Sequence, residues 1–451
     1  MQLIVALAII ASVLVPDSKF ELDLLWLRMG CCLALLAIPA VFAARYSRLI
    51  ETEVSTDIFV QSLVRFERLF LLTWCTAVSF AFFLFDWVPC AFSTPWISSS
   101  AFLIRSLVAC PILASVVFYW WMIACLESKH LLTESNRRPP EPWRENLRIV
   151  WIQIRQIMLL PMTPVFVILL IDDLLKLYPA AAEYRAVVFG AIVASLPFIL
   201  PSILRSLWDL ESLCGEKRHR VLAVADRMRV HVADVCLWKT GNRSLNAAVA
   251  GAFRRTRILL LSDALVDSFN DTDLEAVVAH EMAHVKHRHI VTMLLTLVSA
   301  GLTAVLCMQI LDRQEIHPST NASLLVLIPV IAIWLLLHRF IARSFEHQAD
   351  VEACLQLTTT IATKPPAANS QTDSAVFTFV EMLRKLAPNG TTGSDWWHPS
   401  IDTRIATLKE IHQDDTVREE FEGRIQAINR LVHGSVVFLL LVTTGLGLLG
   451  I

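Results

Sequence analysis

Apolar runs long enough to cross a bilayer recur along this chain, and that feature removes the ordinary soluble folds before any motif is considered. A mean hydropathy of +0.56, 55% hydrophobic residues and only 18% charged residues place the 451-residue chain among membrane proteins. The formal net charge of −2 gives no ground for a nucleic-acid partner. The runs cover Leu3–Val15, Leu24–Ala44, Leu69–Trp87, Ala101–Leu126, Val150–Ile171 and Val187–Leu207, roughly six spans if each crosses ~30 Å of hydrocarbon. The first lacks a basic start and is followed closely by the second, so a membrane hairpin is expected there rather than a signal peptide. Ten cysteines are scattered with no C-x-x-C pair, which reads as small buried apolar residues and not as a disulfide framework.

After Leu207 the composition turns polar. An amphipathic helix is predicted over Glu216–Arg229, then strands at Val235–Lys239, Leu245–Gly251 and Thr256–Ser262. The stretch Ala276–Ile290, AVVAHEMAHVKHRHI, follows. On a helix, His280 and His284 lie one above the other, so two imidazoles can hold one metal ion with Glu281 beside it. This H-E-x-x-H spacing is zinc-protease geometry. Thr272 with Glu275 reads as a capping box for that helix. Zinc needs a third protein ligand and an open position for water, and Glu346 in RSFEHQAD is the best candidate, with Asp350 four residues on to orient a ligand histidine.

The zinc helix is expected to continue directly into a seventh span, Ile290–Leu311, with an eighth at Ala322 to Leu337. The zinc histidines then sit ~12 Å before one span and Glu346 ~13 Å after the other, similar heights on a helical hairpin. Leu357–Ser374 reads as an aperiodic loop, Ala375–Leu386 as a helix, Thr416–Val432 as a charged helix, and Val436–Ile451 as a last apolar run. Arg45, Arg48, Arg65 and Arg68, then Lys129, Arg137, Arg138, Arg144 and Arg148, mark one membrane side. Val88–Ser100 between them has no basic residue. With nine spans the zinc domain falls on that positive side, the cytoplasm.

His280, Glu281 and His284, then Glu346 with Asp350, then His398, Pro399 and Arg404 in WWHPSIDTRI, resemble the signature of integral-membrane zinc peptidases of the HtpX and CAAX prenyl protease type. The resemblance covers roughly Val221–Leu408. Asn246–Gly251, NAAVAG, is similar to an N-A-x-x-x-G segment that in this family forms part of the substrate-binding edge, so Asn246, Ala247 and Ala248 are expected to hold substrate. The resemblance implies one Zn2+ per chain on His280, His284 and Glu346, with Glu281 as general base. It also implies His398 and Arg404 near the developing oxyanion, and a membrane or membrane-associated protein as substrate.

The fold expected is a mostly α, polytopic membrane protein of about nine transmembrane helices with a zincin-like α+β metalloprotease domain carrying a small β-sheet. Its parts would be an N-terminal membrane domain (1–207), the metallopeptidase domain with a transmembrane hairpin at about 290–342 (208–432), and a C-terminal transmembrane segment (433–451). The location implied is a bacterial inner membrane. A BlaR-type signal transducer, which also carries H-E-x-x-H and a later glutamate, is the alternative; no outside loop is long enough for its sensor domain. His287 and His289 read as a polar helical face at the membrane interface, and His347 is unassigned.

Overall fold

The computed structural model describes residues 25–50, 56–83, 87–93, 100–135, 142–178, 180, 184–242, 244–313, 320–361, 368–386 and 398–448. The expected span Leu3–Val15 and the Trp396–Trp397 pair ahead of His398 lie outside them. The chain divides into two compact units, Met1–Leu196 with Ser206–Trp208, and Pro197–Arg205 with Asp209–Ile451.

The first unit is helical: α1 (Leu25–Ile50), α2 (Thr56–Phe83), a short α3 (Trp87–Phe92), α4 (Ala101–Ser135), α5 (Pro142–Gln153) and α6 (Leu160–Lys176), with α7 (Arg185–Leu207) running on into the second unit. A six-residue π-helical turn, Ile154–Leu159, joins α5 to α6. Pro161 has no N–H to give the helical ladder, and the ladder widens just ahead of it. The core is aromatic: Phe66 is fully buried, its ring stacked between Tyr46 and Tyr119 at 5.5 Å each, and Tyr119 stacks in turn on Phe70 at 4.5 Å. The indole N–H of Trp74 donates to Ser115 Oγ, and that of Trp87 to the Val108 carbonyl.

The second unit carries a four-stranded sheet. β1 (Leu210–Ser212) precedes α8 (Gly215–Arg227); β2 (Asp234–Trp238), β3 (Ala247–Ala250) and β4 (Ile258–Ser262) follow. The order is β1-β2-β4-β3, with β2 and β4 parallel and the two outer pairs antiparallel. β4 is central because ILLLS is apolar on both faces and every residue of it is buried. β3, the small-residue run AAVA, is an edge strand whose only partner among the described strands is β4. Gly251 ends it at φ +98°, where a Cβ would lie 3.0 Å from Arg257 Cα and the Thr256 carbonyl, so this turn requires glycine.

The remaining helices are α9 (Asp263–Ser268), α10 (Asp271–Lys286), α11 (His289–Arg313), α12 (Thr320–Ile361), α13 (Ala368–Leu386), α14 (Ile401–Gln413) and α15 (Asp415–Leu448). The core of this unit lies where α8, α10, α12 and α13 meet the sheet. Much of the stretch read as an aperiodic loop from Leu357 is helical, since α12 runs to Ile361 and α13 begins at Ala368. β1 escaped the sequence reading because three residues carry no measurable alternation.

Five helical stretches among the described residues are long and apolar enough to cross a membrane: Leu25–Arg48, Ala101–Ser128, Trp143–Lys176, His289–Leu311 and Asp415–Leu446. The chain is thus a multi-pass membrane protein, with fewer such helices described than the nine spans expected. The ten cysteines are all free; Cys32, Cys90, Cys236 and Cys354 are buried, while Cys75, Cys110 and Cys214 are exposed, against the expectation of uniform burial.

Candidate metal centre and cleft

α10 begins two residues earlier than a Thr272 cap would allow. Asn270 is the cap, its side-chain oxygen accepting from the Asp273 amide at 2.8 Å, and Asp271 and Asp273 place negative charge at the positive end of the helix. Glu275 instead pairs with Arg227 at 3.0 Å, so the expected capping box does not form. At its other end α10 does not run on into the membrane. His287 and Arg288 form a turn, with Arg288 at φ +57°, and a new helix starts at His289.

One face of α10 packs on α12, which brings His280 and His284 to Glu346 across 62 residues of sequence. One ligand atom from each of the three lies within 4.8 Å of the others. His280 Nε2 and His284 Nε2 are 3.2 Å apart; Glu346 places one carboxylate oxygen 3.7 Å from the first and the other 3.5 Å from the second. Asp350 Oδ1 lies 2.9 Å from His280 Nδ1, which keeps the proton on that nitrogen and leaves Nε2 a lone pair. His284 Nδ1 is likewise engaged, by His289 Nδ1 at 2.9 Å. Two imidazole lone pairs and a carboxylate therefore converge on one point, an arrangement that is repulsive unless a cation sits among them. The donor set, two nitrogens and an oxygen, is one that zinc accepts.

These groups line a cleft of about 920 Å³. Asn246, Ala247 and Ala248 border it from the edge strand, and Glu281 from α10. Its lining also has an apolar part, with Met293, Leu294 and Leu297 on α11. Asn246 continues the pairing of β3: its amide donates to Ser262 Oγ and its carbonyl accepts from the Ser262 amide, both at 3.0 Å. Ser262 also caps α9, so one buried hydroxyl ties the start of β3 to β4 and the next helix.

Residues 216–412 match the family described as Peptidase family M48. Over an alignment of 194 positions, the chain is 27% identical to proteins named Protease HtpX homolog from two strains of Bacteroides fragilis, YCH46 and ATCC 25285. That match takes in 37% of this chain and 60% of each relative. The crystal structure of S. mikatae Ste24p aligns over 87% of this chain and 100% of that one, with a TM-score of 0.46 and 16% identity.

Within the matched residues, burial raises the Glu281 carboxyl to about 7, toward the range in which a carboxylate both takes and returns protons. Burial and the neighbouring His280 hold His284 down to about 4, so its imidazole is neutral, as a metal ligand must be. Burial alone would raise Glu346; His398, with Nδ1 at 3.1 Å, and the two ligand histidines hold it far below the usual carboxylate range.

Arg404 is buried, and its guanidinium grips Asp350 in two places, at 2.9 and 2.5 Å, with Glu346 3.8 Å away. It borders the cleft but its strongest contacts are with the residue behind His280. His398 is about half exposed at the cleft wall, just before α14, whose cap is Ser400. The sequence reading missed His289. It is 3% exposed, with its ring stacked flat on Phe345 at 4.1 Å, and is no part of a solvated face. The signal was faint, because only a break in the helix turns the fifth residue after His284 back onto it, and arginine rarely adopts the left-handed conformation that Arg288 takes there.

Proposed function

We propose that this chain is a zinc-dependent endopeptidase that hydrolyses peptide bonds of membrane or membrane-associated proteins. The reading is carried by one observation, the convergence of His280, His284 and Glu346 beside Glu281 in a cleft bordered by an edge strand. One zinc held by those three residues supplies a Lewis acid that acidifies water and polarises the substrate carbonyl. Glu281 takes the proton of the attacking water and later delivers it to the leaving amine. The open edge of β3 pairs with the backbone of an extended substrate, Asn246 adds an amide donor and acceptor, and Ala247 and Ala248 leave room beside it. His398 donates toward the developing oxyanion. Asp350 orients His280, and Arg404 neutralises and fixes Asp350.

In the same reading α2, α7 and α12 join the five apolar helices in crossing the bilayer, with the basic loops and the cleft on the cytoplasmic side of a bacterial inner membrane. No observation favours the BlaR-type signalling alternative. Glu281→Gln tests the peptidase reading: zinc content is expected to hold while turnover of a membrane protein substrate falls at least ~100-fold, the lower end of what general-base catalysis supplies. Near-normal turnover would end the assignment.

A further inference from the structure

We propose that His289 is a positioning residue that holds His284 in its ligating tautomer, as the first link of a one-way hydrogen-bond chain running to Glu352. The proposal rests on the zinc reading above. The chain is continuous: His284 Nδ1 to His289 Nδ1 at 2.9 Å, His289 Nε2 to Gln348 Oε1 at 2.8 Å, Gln348 Nε2 to His287 Nδ1 at 3.3 Å, and His287 Nε2 to Glu352 Oε2 at 3.2 Å. Lys286 donates to the other Glu352 oxygen at 2.6 Å.

Both ends of the chain dictate the same proton order. A His284 that ligates through Nε2 must carry its proton on Nδ1, so His289 Nδ1 accepts and its Nε2 donates to the Gln348 carbonyl oxygen. The Gln348 amide nitrogen then donates to His287 Nδ1, leaving the proton on His287 Nε2 for Glu352. An ionised carboxylate can only accept, so Glu352 imposes this direction from the far end. Were His284 reversed, two nitrogen lone pairs would face each other at 2.9 Å, or His289 would donate from Nδ1 and turn its Nε2 lone pair on the Gln348 carbonyl oxygen, breaking the chain there. The break in the helix at Arg288 makes the contact possible, and the stack on Phe345 fixes the plane of the His289 ring.

Three variants of the full-length, detergent-solubilised protein test this, with zinc affinity read by competition with a chromophoric chelator and site geometry by the visible spectrum of the cobalt-substituted form. His289→Phe keeps a ring against Phe345 and removes both hydrogen bonds; it is expected to weaken zinc binding about 10- to 100-fold and to shift the cobalt bands. His289→Asn returns an acceptor at the Nδ1 position and should recover most of that loss. Gln348→Leu cuts the second link and should lower affinity by less than about 10-fold in the wild type, with no further loss in the His289→Phe background. Wild-type affinity in His289→Phe, or no recovery in His289→Asn, would overturn the proposal, and if His289→Phe fails to fold, wild-type affinity in Gln348→Leu would do the same. A wild type that holds no zinc would fell the peptidase reading and this one together; loss of turnover alone, with affinities ordered as expected, would fell only the former.

Discussion

The two units bury their interiors in opposite ways. In the first, the core is a run of stacked rings, Tyr46, Phe66, Tyr119 and Phe70, and large apolar side chains such as Trp26, Leu72 and Leu174 also cover its outside. In the second, a comparable apolar core surrounds a buried group of charges: Arg404, Asp350, Glu346 and His280 are each under 10% exposed. Helices in hydrocarbon gain little from burying one more apolar surface and hold together by close packing, so their interior can be uniform. Buried charges cost several kcal/mol each unless every one has a partner, and such a group persists where it serves chemistry. On the proposed reading the chemistry belongs to the second unit, and substitutions should separate the two interiors by kind as well as by size.

The largest effect is expected from Glu346→Ala, which leaves two protein ligands. Metal analysis should show zinc lost and turnover abolished, with full occupancy identifying a different third ligand. Next comes Arg404→Met, which keeps the volume but strands Asp350 as an unpaired buried carboxylate; loss of about 3–5 kcal/mol is expected in denaturant unfolding, together with weaker zinc binding. A purely apolar change in the other unit should behave differently. Phe66→Leu is expected to cost about 1–2 kcal/mol by the cavity it leaves while zinc affinity stays at the wild-type value. A fall in zinc affinity there would break the comparison.

The smallest effect concerns a charge group at the surface of the second unit. Burial would raise the Asp234 carboxyl, but Arg205 at 2.8 Å and Arg218 at 2.9 Å reverse this and bring it down to about 2. Its folded value lies below the unfolded value of about 4, so its contribution is complete above pH ~4 and is lost as pH falls toward about 2. Melting curves of wild type and Asp234→Asn should differ at neutral pH by a small amount and converge through that window; a constant difference across it would show that the pair carries no stability.

Much of the site was legible because its pieces are local. His280, Glu281 and His284 lie within one helical turn, and Glu346 and Asp350 within another, so 3.6-residue periodicity alone puts each set on one face. The edge position of Asn246–Gly251 was legible through the resemblance of NAAVAG to the family segment and not through the run itself, since small residues suit a buried strand as well; the structure ends the strand at Gly251, φ +98°. The cap of α10 was misplaced by two residues because Asn270 and Thr272 are both good capping residues, and only the fold shows which one is followed by helix.

What the chain determined by itself is thus its character: apolar runs that must cross a bilayer, helical faces that present ligands, and a base beside them. Pattern is sufficient there, since periodicity and hydrophobicity act within a few neighbouring residues. What only the tertiary structure decided is which distant groups meet. The strand order β1-β2-β4-β3, the grip of Arg404 on Asp350 and the contact of His289 with His284 across the turn at Arg288 each join elements that the sequence keeps apart. Contacts of that kind come from close packing and from the need to pair every buried charge, two conditions set by the whole interior and by no single stretch of sequence.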